Sequence, residues 1–290
     1  MPPTGNRVVP QLVLLALILI WSASYVVSKL ALGSLTAPAL VATRFWLAIL
    51  CVLPLVRRGL ATQLRATLWP GITTGIALGS GYLLQMQGLR LSTASMGGLI
   101  AGLIVPLVAL GGFLFLGGRL GGRAALGLLL AIAGIVLVCD ASGGSWLGNG
   151  LLIGSSVSYA AHVLLLSFHG RRVPLVAFTL WQLVVVASAG TVQAALDGEI
   201  AAQPELGVAW SPALLAELAY LGVLATGLAI LVQGRVQHRI PSTQVALLFA
   251  TQPLLAALCG WVWLDDHLTA VQLAGGGLII TGVVVTSLAR

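Results

Sequence analysis

"QPLLAALCGWVWLDDHLTAVQLAGGGLIITGVVV", residues 252–285, contains two apolar runs joined by a short turn with two adjacent aspartates. An earlier stretch, residues 105–138, has the same layout and reads "VPLVALGGFLFLGGRLGGRAALGLLLAIAGIVLV". Pro106 corresponds to Pro253, and "FLGGRLG" corresponds to "WLDDHLT". The chain therefore contains an internal repeat, and each copy ends in a pair of apolar segments.

The beginning of the repeated unit is matched more loosely. Near the start of the chain "WSASYVVSK" resembles the later "GSSVSYAAHV", which pairs Ser24 and Tyr25 with Ser158 and Tyr159. The matches divide the chain into two units, residues 1–144 and residues 145–290.

The composition indicates an integral membrane protein. Hydrophobic residues make up 59% of the chain and charged residues 7%, with a mean hydropathy of +1.06, whereas about 25% of residues are charged in soluble domains. Apolar runs of the roughly 20 residues needed to cross a bilayer recur from end to end. The net charge of +7 comes mainly from arginines in the short connections between apolar runs, as in membrane proteins, so no nucleic-acid partner is expected.

Apolar runs and helix breakers predict an all-α protein with ten transmembrane helices. The predicted segments are residues 11–32, 37–56, 69–89, 94–116, 124–139, 148–168, 173–196, 213–234, 242–264 and 269–288. Each unit holds five of them. Because five is odd, the two copies enter the membrane from opposite sides, and in transporters such inverted repeats surround a central site.

The charges between these segments are segregated when the N-terminus is placed in the cytoplasm. The cytoplasmic parts then carry Arg7, Arg57, Arg58, Arg65, Arg119, Arg123, Arg171, Arg172, Arg235, Arg239 and Arg290. The outer connections carry Arg90, Asp140, Asp197, Glu199, Glu205, Asp265 and Asp266. Short basic loops resist translocation, so both termini are predicted to be cytoplasmic.

Asp265 and Asp266 are predicted to form a tight outer turn and to cap the tenth helix, where a negative charge offsets the helix dipole. Adjacent carboxylates in one loop do not make an inward-facing catalytic pair. Cys51, Cys139 and Cys259 lack metal-binding spacing, so neither a disulfide framework, a metal nor a cofactor is expected.

The repeat resembles a known family. Its pattern is a proline, a dozen apolar residues, a Leu-Gly-Glu-x-Leu-Thr motif and a glycine-rich last helix. This pattern resembles the EamA repeat, and two such repeats define the common form of the drug/metabolite transporter (DMT) superfamily. "IWSASYVVSKLAL" and "ATRFWLAIL" also look like the first two helices of that superfamily. The motif glutamate is replaced by Gly118 and Asp266. Length and layout resemble the YddG-type exporters of aromatic amino acids and metabolites.

This resemblance implies a ten-helix basket around a central cavity, in a bacterial inner membrane, that exports small metabolites such as amino acids. Facilitative alternating access is expected, because no acid lies at the centre of a helix. The protein is also expected to be a monomer. One alternative is a phosphorylated-sugar or nucleotide-sugar transporter of the same superfamily. A remote one is an intramembrane enzyme, for which Ser158 and His162 are four residues apart.

Polar and aromatic side chains within the predicted spans are the candidates for substrate contact, since such groups face a cavity or one another. The first and sixth helices carry equivalent stripes, and the third and ninth helices add further residues. The predicted set is Trp21, Ser24, Tyr25, Tyr82, Gln85, Ser158, Tyr159, His162, Gln244, Thr251 and Gln252. Packing and hydrogen bonding between helices remain the alternative for each.

Proline and charge positions complete the expectations. Pro106 and Pro253 each remove a backbone hydrogen bond at matched places, which predicts two hinges. Lys29, Arg44 and Glu217 lie within or beside apolar runs; interfacial positions are favoured, and a buried pair with Glu217 is the alternative.

Overall fold

The computed structural model describes residues 8–55, 60–116, 121–140, 145–169, 173–197, 210–236, 239–240 and 242–288. Every regular element in this part of the chain is helical. The α-helices are α1 (Val8–Ala31), α2 (Ala37–Val52), α3 (Leu60–Leu91), α4 (Ala94–Ala101), α5 (Ile104–Leu116), α6 (Gly122–Asp140), α7 (Trp146–His169), α8 (Leu175–Leu196), α9 (Pro212–Ala219), α10 (Ala229–Val236), α11 (Ser242–Phe249), α12 (Gln252–Leu264) and α13 (Ala270–Ser287). A 3-10 turn follows α2 at Leu53–Leu55, and a π-helical segment, Tyr220–Leu228, joins α9 to α10.

These helices form ten spans, as predicted. The pairs α4–α5 and α11–α12 and the run from α9 to α10 each act as one span. Seven spans are long and apolar enough to cross a membrane, and two shorter apolar helices are α2 and α12. The remaining one, α3, is 32 residues long and is less apolar than the others because it carries many glycine and polar residues. The prediction of an all-α, multi-pass membrane protein is confirmed.

The third helix begins at Leu60, nine residues before its predicted start. It continues through Pro70, which lies inside the helix. The extra turns pack against α8: the Trp181 Nε1–H donates to the Leu64 carbonyl at 2.9 Å. Tertiary contact therefore extends the helix beyond the point that local propensity indicates.

The fourth and ninth spans are interrupted at equivalent places. A turn at residues 102–103 separates α4 from α5, and one at residues 250–251 separates α11 from α12. Pro106 is the third residue of α5 and Pro253 the second residue of α12. The first turn of a helix has no intrahelical acceptor for its N–H groups, so a proline costs little there.

The packing of helices repeats between the two halves. The last helices of the repeats, α6 and α13, pack against each other. In the first half α3 packs on α7 and α8; correspondingly, the π-helical segment packs on α1 and α2. Likewise α4 and α5 contact α7, while α12 contacts α1. Each of these contacts has a counterpart when the spans of one half are exchanged for those of the other, as expected for two copies in opposite senses.

Glycines allow the closest of these contacts. A Cβ placed on Gly75 would lie 2.9 Å from the Cβ of Val185, so α3 and α8 meet backbone to backbone. Between α6 and α13, a Cβ on Gly134 would lie 2.5 Å from the carbonyl oxygen of Gly275. Small residues at helix contacts are the membrane equivalent of tight core packing.

The turn after α12, which was predicted to face the outer side, stabilises a different helix from the one predicted. Asp265 ends α12 with a left-handed backbone conformation, φ 55°. The Asp266 carboxylate accepts the N–H of Ser95 at 2.9 Å and so caps α4. Helix α13 is capped by Thr269 and Gln272, which exchange two hydrogen bonds in a capping box. The expectation that the aspartates cap the tenth span is therefore wrong, although their role is structural.

The three in-span charges occupy different environments. The Lys29 ammonium donates to the carbonyls of Leu89 and Ser92 at the C-terminal end of α3, which is an end-of-helix position favourable for a cation. Arg44 is 3% exposed at the middle of α2, so the expected interfacial position is wrong for this residue. Glu217 is half-buried on α9 and forms no ion pair with Arg44.

Candidate functional site

Two tyrosines from different repeats meet at one glutamine of α3. Gln85 Nε2–H donates to the Tyr25 hydroxyl oxygen at 3.1 Å, and the Tyr159 hydroxyl donates to Gln85 Oε1 at 3.0 Å. Tyr25 and Gln85 are buried, and Tyr159 is half-buried. The predicted counterparts from the first and sixth spans therefore come together through a residue of the third.

Tyr82, one helical turn before Gln85 on the same helix, extends this group toward α2. Its ring meets Phe45 edge to face with centroids 4.7 Å apart, and meets Tyr159 in the same way at 5.5 Å. Edge-to-face pairs at these distances add stabilisation beyond the buried area alone.

Arg44 completes the group from α2. Its Nε–H donates to the Thr226 hydroxyl at 2.8 Å, and its Nη2 lies 3.4 Å from the Tyr82 hydroxyl. The guanidinium carbon is 4.8 Å from the centroid of the Tyr82 ring, within the range of a cation–π contact. The tyrosine cluster is the set Tyr25, Arg44, Tyr82, Gln85, Tyr159 and Thr226.

The π-helical segment positions Thr226. In this wider turn the Thr226 hydroxyl donates to the Leu221 carbonyl, five residues earlier, at 2.7 Å. Its oxygen lone pairs are then available to accept from Arg44. Such π-helical turns inside α-helices are rare and occur frequently at functional sites.

His162 lies one turn from Tyr159 on α7 and contacts α8. His162 Nε2 is 2.9 Å from Gln182 Oε1, and Gln182 Nε2–H donates to the Phe178 carbonyl. Since Gln182 Oε1 can only accept, the neutral ring is protonated at Nε2. The pair joins two helices beside the tyrosine cluster.

Three predicted residues of the first and sixth spans make other contacts. Trp21 Nε1–H donates to the Ala225 carbonyl at 2.9 Å, and its ring stacks on Phe249 with centroids 5.9 Å apart. Ser24 donates to the carbonyl of Trp21, and Ser158 to that of Gly154, both within their own helices. These serine bonds are typical of packing in membrane helices.

The predicted residues of the ninth span lie away from the cluster. Gln244 pairs with Gln11 at 2.7 Å, at the end of the bundle where α1 begins, and both line an open groove of about 390 Å³. Thr251 donates to the Leu248 carbonyl within the interruption. The backbone carbonyl of Gln252 accepts from Ser22 at 3.3 Å. Sequence spacing alone did not separate these three from the central group.

A second cavity, of about 320 Å³, opens at the opposite end of the bundle. Its lining includes Lys29, Arg90, Ser92, Thr93, His267 and Gln272. Along α1 the groove reaches Leu15, the cavity begins at Lys29, and Tyr25 lies between them. The tyrosine cluster itself lines neither opening.

Sequence reasoning missed three residues of this region. Arg44 was considered an interfacial charge, and neither Thr226 nor Gln182 was named. For two of them, the distance from the ends of the helix is a usable signal. Arg44 is the eighth of the 16 residues of α2, and Gln182 is the eighth of the 22 residues of α8. A long polar side chain well inside an apolar helix is expensive in lipid and is expected to have a functional or structural partner.

The chemistry that this arrangement supports is binding. In the described part of the chain there is no group of three metal-binding side chains. Ser158 and His162 do not form a nucleophile–base pair, because each is bonded to a different partner. What remains are hydroxyl and amide hydrogen bonds, aromatic faces and one guanidinium, which together can hold a small polar molecule.

Comparison with known proteins gives the family. Residues 10–139 and 146–288 each match the EamA-like transporter family. An uncharacterized transporter of Archaeoglobus fulgidus is 26% identical over 98% of this chain and 87% of its own length. A probable amino-acid metabolite efflux pump of Escherichia coli is 26% identical over 93% of this chain and 91% of its own. A crystal structure with a TM-score of 0.67, 23% identical over 98% of both chains, has the same fold. The protein, a multi-pass membrane protein with two repeats, belongs to the EamA-like transporter family.

Proposed function

We propose that the protein exports amino acids, aromatic ones included, and similar small metabolites across the bacterial inner membrane by alternating access. The observation that carries this proposal is the meeting of Tyr25 and Tyr159, equivalent residues of the two repeats, at Gln85. A site shared by both copies can be exposed to either side as the copies exchange conformations. The name of the Escherichia coli relative supports the substrate class.

Export is proposed to be facilitative. Coupling to protons or cations usually requires an acidic group in the path. In the described chain the tyrosine cluster has no carboxylate: Asp197, Asp265 and Asp266 lie at helix ends or in the outer turn, and Glu217 is on α9. His162 lies one turn from Tyr159 on α7, and its contact is the neutral amide of Gln182.

Arg44 favours a substrate with negative charge, which raises the second candidate, a phosphorylated-sugar transporter. A phosphate dianion is normally held by more than one cation. Lys29, the other basic residue considered within an apolar run, is engaged with the carbonyls of Leu89 and Ser92. A single guanidinium suits a singly charged group, so the amino-acid proposal is retained.

The test is efflux from proteoliposomes preloaded with a labelled amino-acid mixture, with and without a proton gradient. Selective efflux that persists after the gradient is collapsed is the expected result. Efflux that requires the gradient would contradict the facilitative mechanism and direct attention to His162. Folded protein that releases phosphorylated sugars instead of amino acids would establish the second candidate.

A further inference from the structure

Arg44 is a charge buried at the centre of a membrane-spanning helix. It is the eighth of the 16 residues of α2 and is 3% exposed. Moving a charged side chain away from water is costly unless a counter-charge compensates it. Snorkelling to either interface would leave the side chain exposed, and it is not.

The partners that the protein supplies to this charge are neutral. The Arg44 guanidinium contacts the hydroxyl of Thr226 and the hydroxyl and ring of Tyr82. In the described part of the chain the salt bridge that forms joins His267 to Asp265 in the outer turn. Glu217 lies on α9, nine residues before Thr226, and forms no ion pair with Arg44. Within the described residues, the structure thus holds a cation in place without an anion paired to it.

The contacts fix the guanidinium and leave binding capacity. Of the five N–H donors of an arginine, the short bond to Thr226 occupies the one on Nε. The contact of Nη2 with Tyr82 is long, at 3.4 Å, and the ring of Tyr82 supports the guanidinium at 4.8 Å. The two terminal nitrogens together present the parallel donors that match a carboxylate.

We propose that Arg44 binds the carboxylate of the exported molecule through its terminal nitrogens, with the Tyr82 hydroxyl as a second donor. The Tyr82 oxygen can accept from Arg44 while its proton goes to the ligand. Tyr159, which is half-buried and meets Tyr82 edge to face, places an aromatic ring beside this position for the rest of the molecule. The inference rests on the proposed function and makes a free carboxylate the feature by which substrates are selected.

A purely structural arginine makes a different prediction. Arg44 also joins α2 to α3 and to the π-helical segment, and that role requires its hydrogen bonds but no ligand. Under that alternative, transport would not distinguish an acid from its amide. The two roles are therefore separated by substrate preference and not by the loss of activity alone.

The experiment measures efflux of labelled phenylalanine, phenylalaninamide and phenethylamine from proteoliposomes. All three carry the aromatic ring and the amino group, and only phenylalanine has a carboxylate. The wild-type protein is expected to export phenylalanine at least about tenfold faster than the other two, because only phenylalanine can form the charge-assisted bidentate contact with Arg44. Arg44→Gln is expected to lower phenylalanine efflux to the rate of the amide.

Controls separate binding from folding. Arg65→Gln removes an exposed arginine of α3 and is expected to keep the wild-type preference. Tyr82→Phe keeps the ring and removes only the hydroxyl, so it is expected to reduce the acid-to-amide ratio severalfold. Arg44→Lys keeps the charge and loses the planar fork, and an intermediate ratio is expected. Size-exclusion profiles and thermal unfolding confirm that each variant is folded.

The outcomes distinguish the inference from the proposed function. Equal efflux of the acid and the amide by the wild-type protein would overturn the inference while the export of amino acids stood. A folded Arg44→Gln protein that keeps the wild-type ratio would overturn it as well. No efflux of any amino acid from folded wild-type protein would overturn the proposed function itself. Because equal efflux by the wild-type protein would overturn the inference without any variant, and Arg44→Lys and Tyr82→Phe are measured beside Arg44→Gln, the test remains decisive if one variant fails to fold.

Discussion

A single amide serves two hydroxyl groups in the tyrosine cluster. Gln85 uses its donor for Tyr25 and its acceptor for Tyr159, so all three polar groups are satisfied away from water. In lipid each unsatisfied group would cost several kcal/mol. Tyr25 and Tyr159 are equivalent in the two repeats, but both are bound by Gln85, which belongs to the first repeat alone. The two tyrosines therefore differ in their hydrogen bonds: one accepts from Gln85 and the other donates to it.

Substitution of Tyr82 or His162 is expected to alter transport while the protein remains folded. Tyr82→Ala removes the ring on which Arg44 and Tyr159 rest, and efflux of phenylalanine should fall about tenfold or more, by the loss of at least one aromatic contact and one hydrogen bond. His162→Ala releases Gln182 beside the cluster, and a smaller fall is expected. Efflux is measured in proteoliposomes at matched protein amounts.

Trp69→Ala is the matched control for these variants, since Trp69 lies on the same helix as Tyr82 and is 73% exposed. It should transport at the wild-type rate. Normal efflux in both Tyr82→Ala and His162→Ala would contradict the assignment of the binding site.

The residues of the cluster were only partly predictable from sequence. Equivalence between repeats predicted Tyr25 and Tyr159, because matched polar groups in matched helices were expected to face one centre. Arg44 was assigned to the interface, since an isolated arginine in an apolar run usually extends to water. Which polar groups meet depends on helix rotation and register, and a single sequence does not determine these.

Interrupted helices are the main departure from the ten continuous spans expected. The breaks before Pro106 and Pro253 fall at equivalent places, so matched prolines were an informative signal. The π-helical segment, in contrast, contains no proline and had no such signal. It is stabilised by contacts with α1 and α2, which come from the opposite half of the chain. Hinge motion at the prolines stays a prediction.

The cap supplied by Asp266 is expected to stabilise α4 from a distance in sequence. Asp266→Ala should lower the free energy of unfolding by about 0.5–2 kcal/mol, the usual effect of losing a capping side chain. Asp265→Gly is the control: this residue is exposed, pairs only with exposed His267 and has a positive φ, which glycine adopts without strain. Thermal unfolding in detergent measures both, and equal destabilisation would argue against the cap.

Two glycines of α13, two positions apart, provide a comparison of helix packing. A Cβ on Gly275 would lie 2.7 Å from the Gly134 carbonyl oxygen, whereas a Cβ on Gly277 would meet nothing within 4 Å. Gly275→Leu should therefore destabilise the protein by about 1–3 kcal/mol or prevent folding. Gly277→Leu should be tolerated. Expression and thermal unfolding decide, and tolerance of Gly275→Leu would show that α6 and α13 can separate.

The main helix contacts of the bundle occur in both halves. The internal repeat of five spans and the segregated charges, both visible in the sequence, predicted an arrangement of this kind.

Orientation in the membrane is a prediction from arginine distribution. In a variant without native cysteines, His267→Cys should react with a membrane-impermeant maleimide added to intact cells. Arg65→Cys should react only after the cells are opened. Labelling in the reverse order would place the termini outside.

The repeat copies its shape without copying its charge. At the spacing that relates Tyr25 to Tyr159, Arg44 corresponds to Phe178, a fully buried hydrocarbon ring on α8. The cation on α2 therefore has no charged equivalent on α8. A substrate whose carboxylate binds Arg44 would find no second cationic position related to it by the repeat, so one orientation of the substrate would be favoured in the protein.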